Sequence, residues 1–265
     1  MSHEIEYHDA MIKLLEMIWG EGFMAPGGPD LVDRLVAGLE TEGKRVLDIG
    51  CGLGGPDCHL ASKRGAHVTG IDIEPQLIEL ATRRALSVGL QDLATFQLVE
   101  PGPLPFEAAT FDIVISAGAI TQIEDKASLF AEALRVLKPG GALHSFEWTT
   151  STAETSQDMR YFFEMEGLTY ALEQPATYAR LLEDAGFVEV GVTDDSAWYR
   201  RGSREEYERM KTDWYPAMQE LLGDKDAAHF VEDWRSMVVV FENGELTQTI
   251  CRARKPGAIN QETSV

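Results

Sequence analysis

The chain has 265 residues, 44% hydrophobic and 25% charged, a balance that suits a soluble globular protein of one domain with an elaboration. Its 44 acidic residues outnumber 23 basic ones, and a formal charge of −21 makes nucleic acid and anionic membrane poor partners. Three cysteines without paired spacing (Cys51, Cys58, Cys251) argue against a disulfide framework and a metal site, and no apolar run nears the roughly 18 residues that span a bilayer.

The start, "MSHEIEYHDAMIKLLEMIW", lacks a signal pattern, so the expected location is the cytoplasm. Met11, Leu14, Leu15, Ile18 and Trp19 recur at helical spacing over residues 7 to 20. The loop "GEGFMAPGGPD" follows, and Asp30 is placed to cap the helix "LVDRLVAGL". Strand "RVLDIG" leads through a glycine turn to a helix at 56 to 64. Strand "HVTGIDI", helix "PQLIELATRRALSVG" and strand "ATFQLVE" come next, then strand "FDIVISAG", helix "KASLFAEALRVLKPGG" and strand "ALHSFEWT". Apolar strands alternating with helices predict an α/β fold, a doubly wound and mostly parallel sheet covered on both faces. After residue 150, "QDMRYFFEMEGL", "PATYARLLEDAGF" and "SREEYERMKTDWYPAMQELL" read as helices, and "VEVGVTDDS" and "ELTQTICRARK" as strands. The expected units are a lid helix and loop (1–29), a ligand-binding core (30–150), cap helices with the closing strands (151–256) and a frayed tail (257–265).

"VLDIGCGLGG" carries the strongest signal. Closely spaced glycines between strand and helix bring bare backbone up to a ligand. Asp48 stands two residues before Gly50, and the spacing Gly50, Gly52, Gly54 differs from the G-x-G-x-x-G that cradles a pyrophosphate. Asp72 ends the next strand, where a carboxylate can accept both hydroxyls of a ribose; capping the helix from Pro75 is the plainer alternative.

This set, with "LPFEAATFDIVIS" and "ALRVLKPGGAL", resembles the class I S-adenosylmethionine-dependent methyltransferases over roughly residues 44 to 150. The resemblance implies a Rossmann-like methyltransferase fold with an N-terminal lid helix and a helical cap. It also implies S-adenosyl-L-methionine as cofactor, S-adenosyl-L-homocysteine as product and a small-molecule acceptor. Asp48, Gly50, Cys51, Gly52 and Gly54 are then expected at the methionyl part, with Ser116 and Ala117 nearby, and Asp72 and Ile73 at the ribose. Glu100 matches the acid that meets adenine, but Pro101 departs from the pattern, because it has no N–H to offer the base.

"YHDAMIKLLEMIWGEGFMAPGG" looks like the start of the phosphoethanolamine and related small-amine N-methyltransferases. By that likeness Tyr7 is an active-site tyrosine, and Met24 and Ala25 touch cofactor. The same group has D-A-x-x-H after the fourth strand, whereas this chain has Gly118 for the acid and Gln122 for the histidine. Trp148 stands where a tyrosine is expected and Leu168 where an arginine is expected. A leucine offers a phosphate none of the paired hydrogen bonds of a guanidinium, which disfavours phosphoethanolamine itself.

The expected catalytic residues are therefore Tyr7, Gln122 and Glu147, the last either as partner to a cationic substrate or as a neutralised structural acid. Trp19, Gly118, Trp148, Tyr170, Trp198 and Tyr199 are the expected substrate contacts, as an aromatic enclosure or simply as cap core. His3 and His8 are either a base or solvated, His144 packs in the sheet, and Met159, Met165 and Met210 look like core. N-methylation of a non-phosphorylated amine is the leading reading. Methylation at carbon, oxygen or sulfur and a silent cofactor-binding protein remain open, and the glycine spacing disfavours a nicotinamide oxidoreductase. A homo-oligomer is allowed but not indicated.

Overall fold

The computed structural model describes residues 9–168 and 170–257. Seven strands form one sheet: β1 (Arg45–Ile49), β2 (His67–Asp72), β3 (Ala94–Leu98), β4 (Phe111–Ala117), β5 (Leu137–Thr150), β6 (Val188–Asp194) and β7 (Leu246–Arg254). Their order is β3-β2-β1-β4-β5-β7-β6. The first five run parallel, whereas β7 pairs antiparallel with both β5 and β6. The order reverses between β1 and β4, and the crevice beyond the strand ends at that reversal is where such sheets bind ligands.

Helices α2 (Gly28–Leu35), α3 (Gly55–Arg64), α4 (Pro75–Ser87), α5 (Lys126–Val136) and α7 (Pro175–Ala185) cover the sheet. On one face Phe130 of α5 and Tyr178 and Leu182 of α7 pack on Val114, Leu143 and Cys251. On the other, Leu31, Val32 and Leu35 of α2 pack on Val46, Ile115, Phe146 and Ile250. Asp30 does not cap α2: the helix starts at Gly28, behind Gly27 at φ +87°, and Asp30 lies in its first turn. Gly27 is required there, since a Cβ would sit 2.1 Å from the Trp198 ring.

A second core lies beside the sheet, formed by α1 (Asp9–Trp19), α6 (Gln157–Glu166), α8 (Ser196–Lys211), α9 (Tyr215–Leu222) and α10 (Asp224–Glu242). Leu14, Phe162, Tyr199, Met218, Trp234 and Phe241 are buried together in it. Helix α10 has no counterpart among the predicted elements. Its run Val238–Val240 is β-branched, and burial of one face against α6 and α8 overrides that local preference. Met159 and Met210 are core as expected, Met165 is half-buried, and His144 is buried with Nδ1 2.7 Å from the Leu35 carbonyl. No helix among the described residues is long and apolar enough to cross a membrane.

Candidate active site

The turn after β1 takes its shape from backbone that only glycine tolerates. Gly50 has φ +77°, and a Cβ there would meet the Ala119 methyl at 2.1 Å. Gly52 has φ +52°, and a Cβ would lie 3.0 Å from the Met24 sulfur. The turn is tied to β2, because Gly50 N–H and Cys51 N–H both donate to the Ile71 carbonyl at 2.9 and 3.0 Å. Asp72 accepts Gly52 N–H at 2.9 Å and Glu74 N–H at 3.1 Å, so the carboxylate at the strand end holds the turn and the start of α4 together. Burial raises its pKa and the backbone donors oppose that rise. Both oxygens keep lone pairs for a diol. Ile73, Glu100 and Pro101 lie exposed at the rim beyond β2 and β3.

Beneath the turn lies an arrangement the sequence reading lacked. Asp48 on β1 and Asp57 on α3 are fully buried, and none of their four carboxyl oxygens has a hydrogen-bond partner. Burial pushes Asp48 up to about 7; burial and the Asp48 charge push Asp57 higher. The Asp57 carboxyl fits only because residue 70 is glycine, since a Cβ there would approach Oδ1 to 2.6 Å. Two neighbouring buried acids that lack donors are suited to a positively charged ligand group. S-adenosylmethionine carries an ammonium and a sulfonium, so the donor set fits it. Asp57 escaped notice because an acid in the first turn of a helix ordinarily answers the helix dipole.

Ser116 departs from expectation. Its hydroxyl is turned inward, donating to the Ile49 carbonyl at 2.9 Å, so it braces the turn from below. Ala117 and Ala25 are half-buried against the α2 side of the sheet. Gly118, at φ +93°, donates its N–H to the Phe146 carbonyl at 2.8 Å and opens a short 3-10 turn, Ile120–Gln122. Gln122 is half-buried in that turn. Tyr7, His3 and His8 lie outside the described residues.

Glu147 takes the structural one of its two expected roles. Successive strand residues point to opposite faces, so Glu147 and Trp148 diverge. Glu147 is fully buried on the α5/α7 side, where its carboxyl accepts the Thr121 hydroxyl at 2.8 Å while Oε1 has no partner. Burial pushes it up to about 8, against hydrogen bonds from Thr121 and the charge of Lys126. Thr121 in turn accepts Trp148 N–H at 3.0 Å, and its carbonyl takes Ala171 N–H at 2.9 Å. Lys126 closes the network by donating to the Ile123 and Ala171 carbonyls at 2.6 and 2.7 Å. The acid thus supports the loop behind the centre and leaves an incoming substrate to other groups.

Trp148 points into the cap. Its ring lies 5.6 Å from Tyr170, 5.9 Å from Phe162, 6.0 Å from Phe241 and 6.4 Å from Tyr199. Tyr170 donates to Glu166 at 2.9 Å. Glu206 accepts Trp19 Nε1 at 2.9 Å, Trp234 Nε1 at 3.0 Å and the Tyr199 hydroxyl at 3.3 Å. Asp233, 3% exposed, faces Glu166 and keeps Oδ1 without a partner; Trp148 Nε1 and both amide atoms of the sealed Gln248 are likewise unpartnered. Trp148, Tyr170, Tyr199 and Trp19 are therefore brought together. Trp198 is not part of that enclosure's wall in the same way, because its ring fills the space over Gly27 and stacks under Arg34 at 4.8 Å, anchoring the N-terminal loop. Glu206 was legible in principle, since Tyr199, Glu206 and Met210 share one helical face and put an acid on an apolar stripe.

Known proteins share these features. A model described as a methyltransferase domain matches residues 47–145. The chain is similar to phosphoethanolamine N-methyltransferase 3 of Arabidopsis thaliana, 29% identical over 245 residues, covering 91% of this chain and 48% of that protein. The chain thus spans about half the length of the plant relatives it matches. It is also 29% identical over 263 residues to 27-O-demethylrifamycin SV methyltransferase of Amycolatopsis mediterranei, covering 94% of this chain and 95% of that one. Among solved structures, Haemonchus contortus phosphoethanolamine N-methyltransferase 2, in complex with phosphomonomethylethanolamine and S-adenosylhomocysteine, superposes with a TM-score of 0.87. That match is 25% identical and covers 95% of this chain and 59% of that one.

Proposed function

We propose that this chain, a class I S-adenosylmethionine-dependent methyltransferase acting on a small molecule, methylates the nitrogen of a non-phosphorylated amine. The observation that carries this reading is the set of acidic groups gathered inside the cap without a sealed cation among them. Glu166, Glu206 and Asp233 gather there, whereas Lys126 is the single lysine or arginine sealed from solvent among the described residues. The Lys126 ammonium serves two carbonyls on the other side of β5. Leu168 is half-buried where the resemblance expects an arginine. A phosphate in this interior would meet carboxyls with no cation to offset them, and an amine would not.

Asp48, Asp57, Asp72 and the glycine turn would hold the cofactor, with Met24 lying across Gly52 to separate it from the cap. When bound, S-adenosylmethionine supplies a methyl group on a sulfonium, which departs as the neutral thioether S-adenosylhomocysteine. An amine acceptor would present its lone pair to that methyl group, and water or a cap carboxyl would take the proton the nitrogen sheds. Trp148, Tyr170 and Tyr199 would orient the acceptor and keep water from the reacting atoms, and positioning and desolvation of this kind can supply much of the rate for such a direct transfer. No acid–base pair at Gly118 and Gln122 is then required.

A second reading is an O-methyltransferase for a larger hydroxylated molecule, favoured by the nearly end-to-end match to a relative named for a demethylrifamycin acceptor. Release of S-adenosylhomocysteine across a panel of amines, phosphoethanolamine and hydroxylated macrocycles tests both. Turnover of unphosphorylated amines is expected. Turnover of phosphoethanolamine, or of hydroxyl acceptors alone, would overturn the amine.

A further inference from the structure

The cap interior holds more acid than its fold requires. Glu166 on α6, Glu206 on α8 and Asp233 on α10 converge from three helices onto the ring enclosure of Trp148, Tyr170 and Tyr199. Glu206 is satisfied by three donors from Trp19, Trp234 and Tyr199. The Glu166–Asp233 pair is satisfied only in part: Tyr170 and the Asp233 carboxyl both serve Glu166, while Asp233 Oδ1, sealed from solvent, has no partner. A structural role would be served as well by an amide or a leucine, because an uncompensated buried acid costs stability. Carboxyls gathered among electron-rich rings are the chemistry that recognises an organic cation.

We infer that the Glu166–Asp233 pair and the rings of Trp148, Tyr170 and Tyr199 form a binding site for an alkylammonium ion. This rests on the amine reading above and deepens it: the acceptor enters as an ammonium, gives up one proton to an ionised carboxyl of the pair to free its lone pair, and after methylation is again an ammonium held at the same place. Burial raises the pKa of both Glu166 and Asp233, and the neighbouring Glu166 carboxyl, by its charge when ionised and by its hydrogen bond, raises that of Asp233 further. The other ionisable groups facing the pair are His229, whose charge would favour ionised Glu166, and Tyr170, Tyr199 and Glu206. A bound cation lowers the cost of ionising the pair, so binding releases a proton and strengthens as pH rises.

The test is a tryptophan-fluorescence titration of the full-length protein, saturated with S-adenosylhomocysteine, with choline chloride and with its uncharged isostere 3,3-dimethylbutan-1-ol. Potassium chloride is the salt control. Choline is expected to bind at least tenfold more tightly than the alcohol at pH 8, and less tightly at pH 6. Glu166→Gln and Asp233→Asn should each weaken choline at least tenfold and leave the alcohol unchanged. Equal affinity for choline and the alcohol in the wild-type protein overturns the inference even if the variants fail to fold; so does choline binding that neither substitution alters. Choline preference without turnover of any amine leaves the cation site standing and sinks the amine reading. Amine turnover without choline preference does the reverse.

Discussion

Glu147→Gln isolates the energetic consequence of a buried acid. Glu147 is fully buried, and its pKa rises from an ordinary 4.5 to about 8. Below about pH 4.5 the folded and unfolded chains both hold the proton, and the acid has no linkage cost. Between there and about pH 8 the unfolded chain has released it and the folded chain has not, so stability falls as pH rises, by ~1.4 kcal/mol per pH unit. Over the difference of about 3.5 the loss accumulates to roughly 5 kcal/mol, a large part of the ~5–15 kcal/mol that ordinarily separates folded from unfolded. Glutamine never ionises, and its carbonyl can still accept the Thr121 hydroxyl that now sits 2.8 Å from Oε2. Urea denaturation from pH 5 to pH 9 should therefore show wild type and variant within about 1 kcal/mol near pH 5, and the variant ahead by several kcal/mol near pH 8. Parallel curves across that range would refute the reasoning and show that water or Lys126 stabilises the ionised carboxylate.

Gly50→Ala should abolish measurable S-adenosylhomocysteine binding in calorimetry, because its methyl would lie 2.1 Å from that of Ala119 and φ is +77°, a conformation that alone costs about 1–2 kcal/mol. Asp48→Asn should weaken S-adenosylmethionine at least tenfold in the same assay; relieving the acidic pair, it should also flatten the loss of stability between about pH 4 and pH 7, the interval over which the unfolded chain has released the Asp48 proton and the folded chain has not. Lys126→Met should leave the carbonyls of Ile123 and Ala171 without their donor, at about 1–3 kcal/mol each. The check is faster amide exchange at Ala171, whose N–H donates to the Thr121 carbonyl.

What the sequence made legible is what is encoded locally. The glycine turn, the acid at the end of β2 and the alternation of strand and helix each sit in a few consecutive residues, and the parallel run of the first five strands follows from that alternation. Helix α10 was hidden because its strand-like residues are helical only once α6 and α8 cover them. Asp57 and Asp233 were hidden for another reason: an acid on a helix reads as solvent-facing until neighbouring elements bury it, and both are buried by contacts from distant segments.

Glu147 is the instructive case, because the local rule that decides between its two expected roles was available from the start. It adjoins Trp148 on a strand, and two adjacent strand residues cannot both face the same cavity. Once Trp148 is assigned to the cap, Glu147 must lie on the α5/α7 side, with Tyr178, Cys251 and Lys126 around it. Its link to chemistry then passes through Thr121, which accepts Trp148 N–H and donates to the acid. The same parity identifies a residue that no motif signals. Gln248 pairs directly with Trp148 across β5 and β7, so its amide shares the cap face, is sealed from solvent and has no partner. An amide so placed adds both a donor and an acceptor to the wall behind Trp148, which is where a polar acceptor would find them.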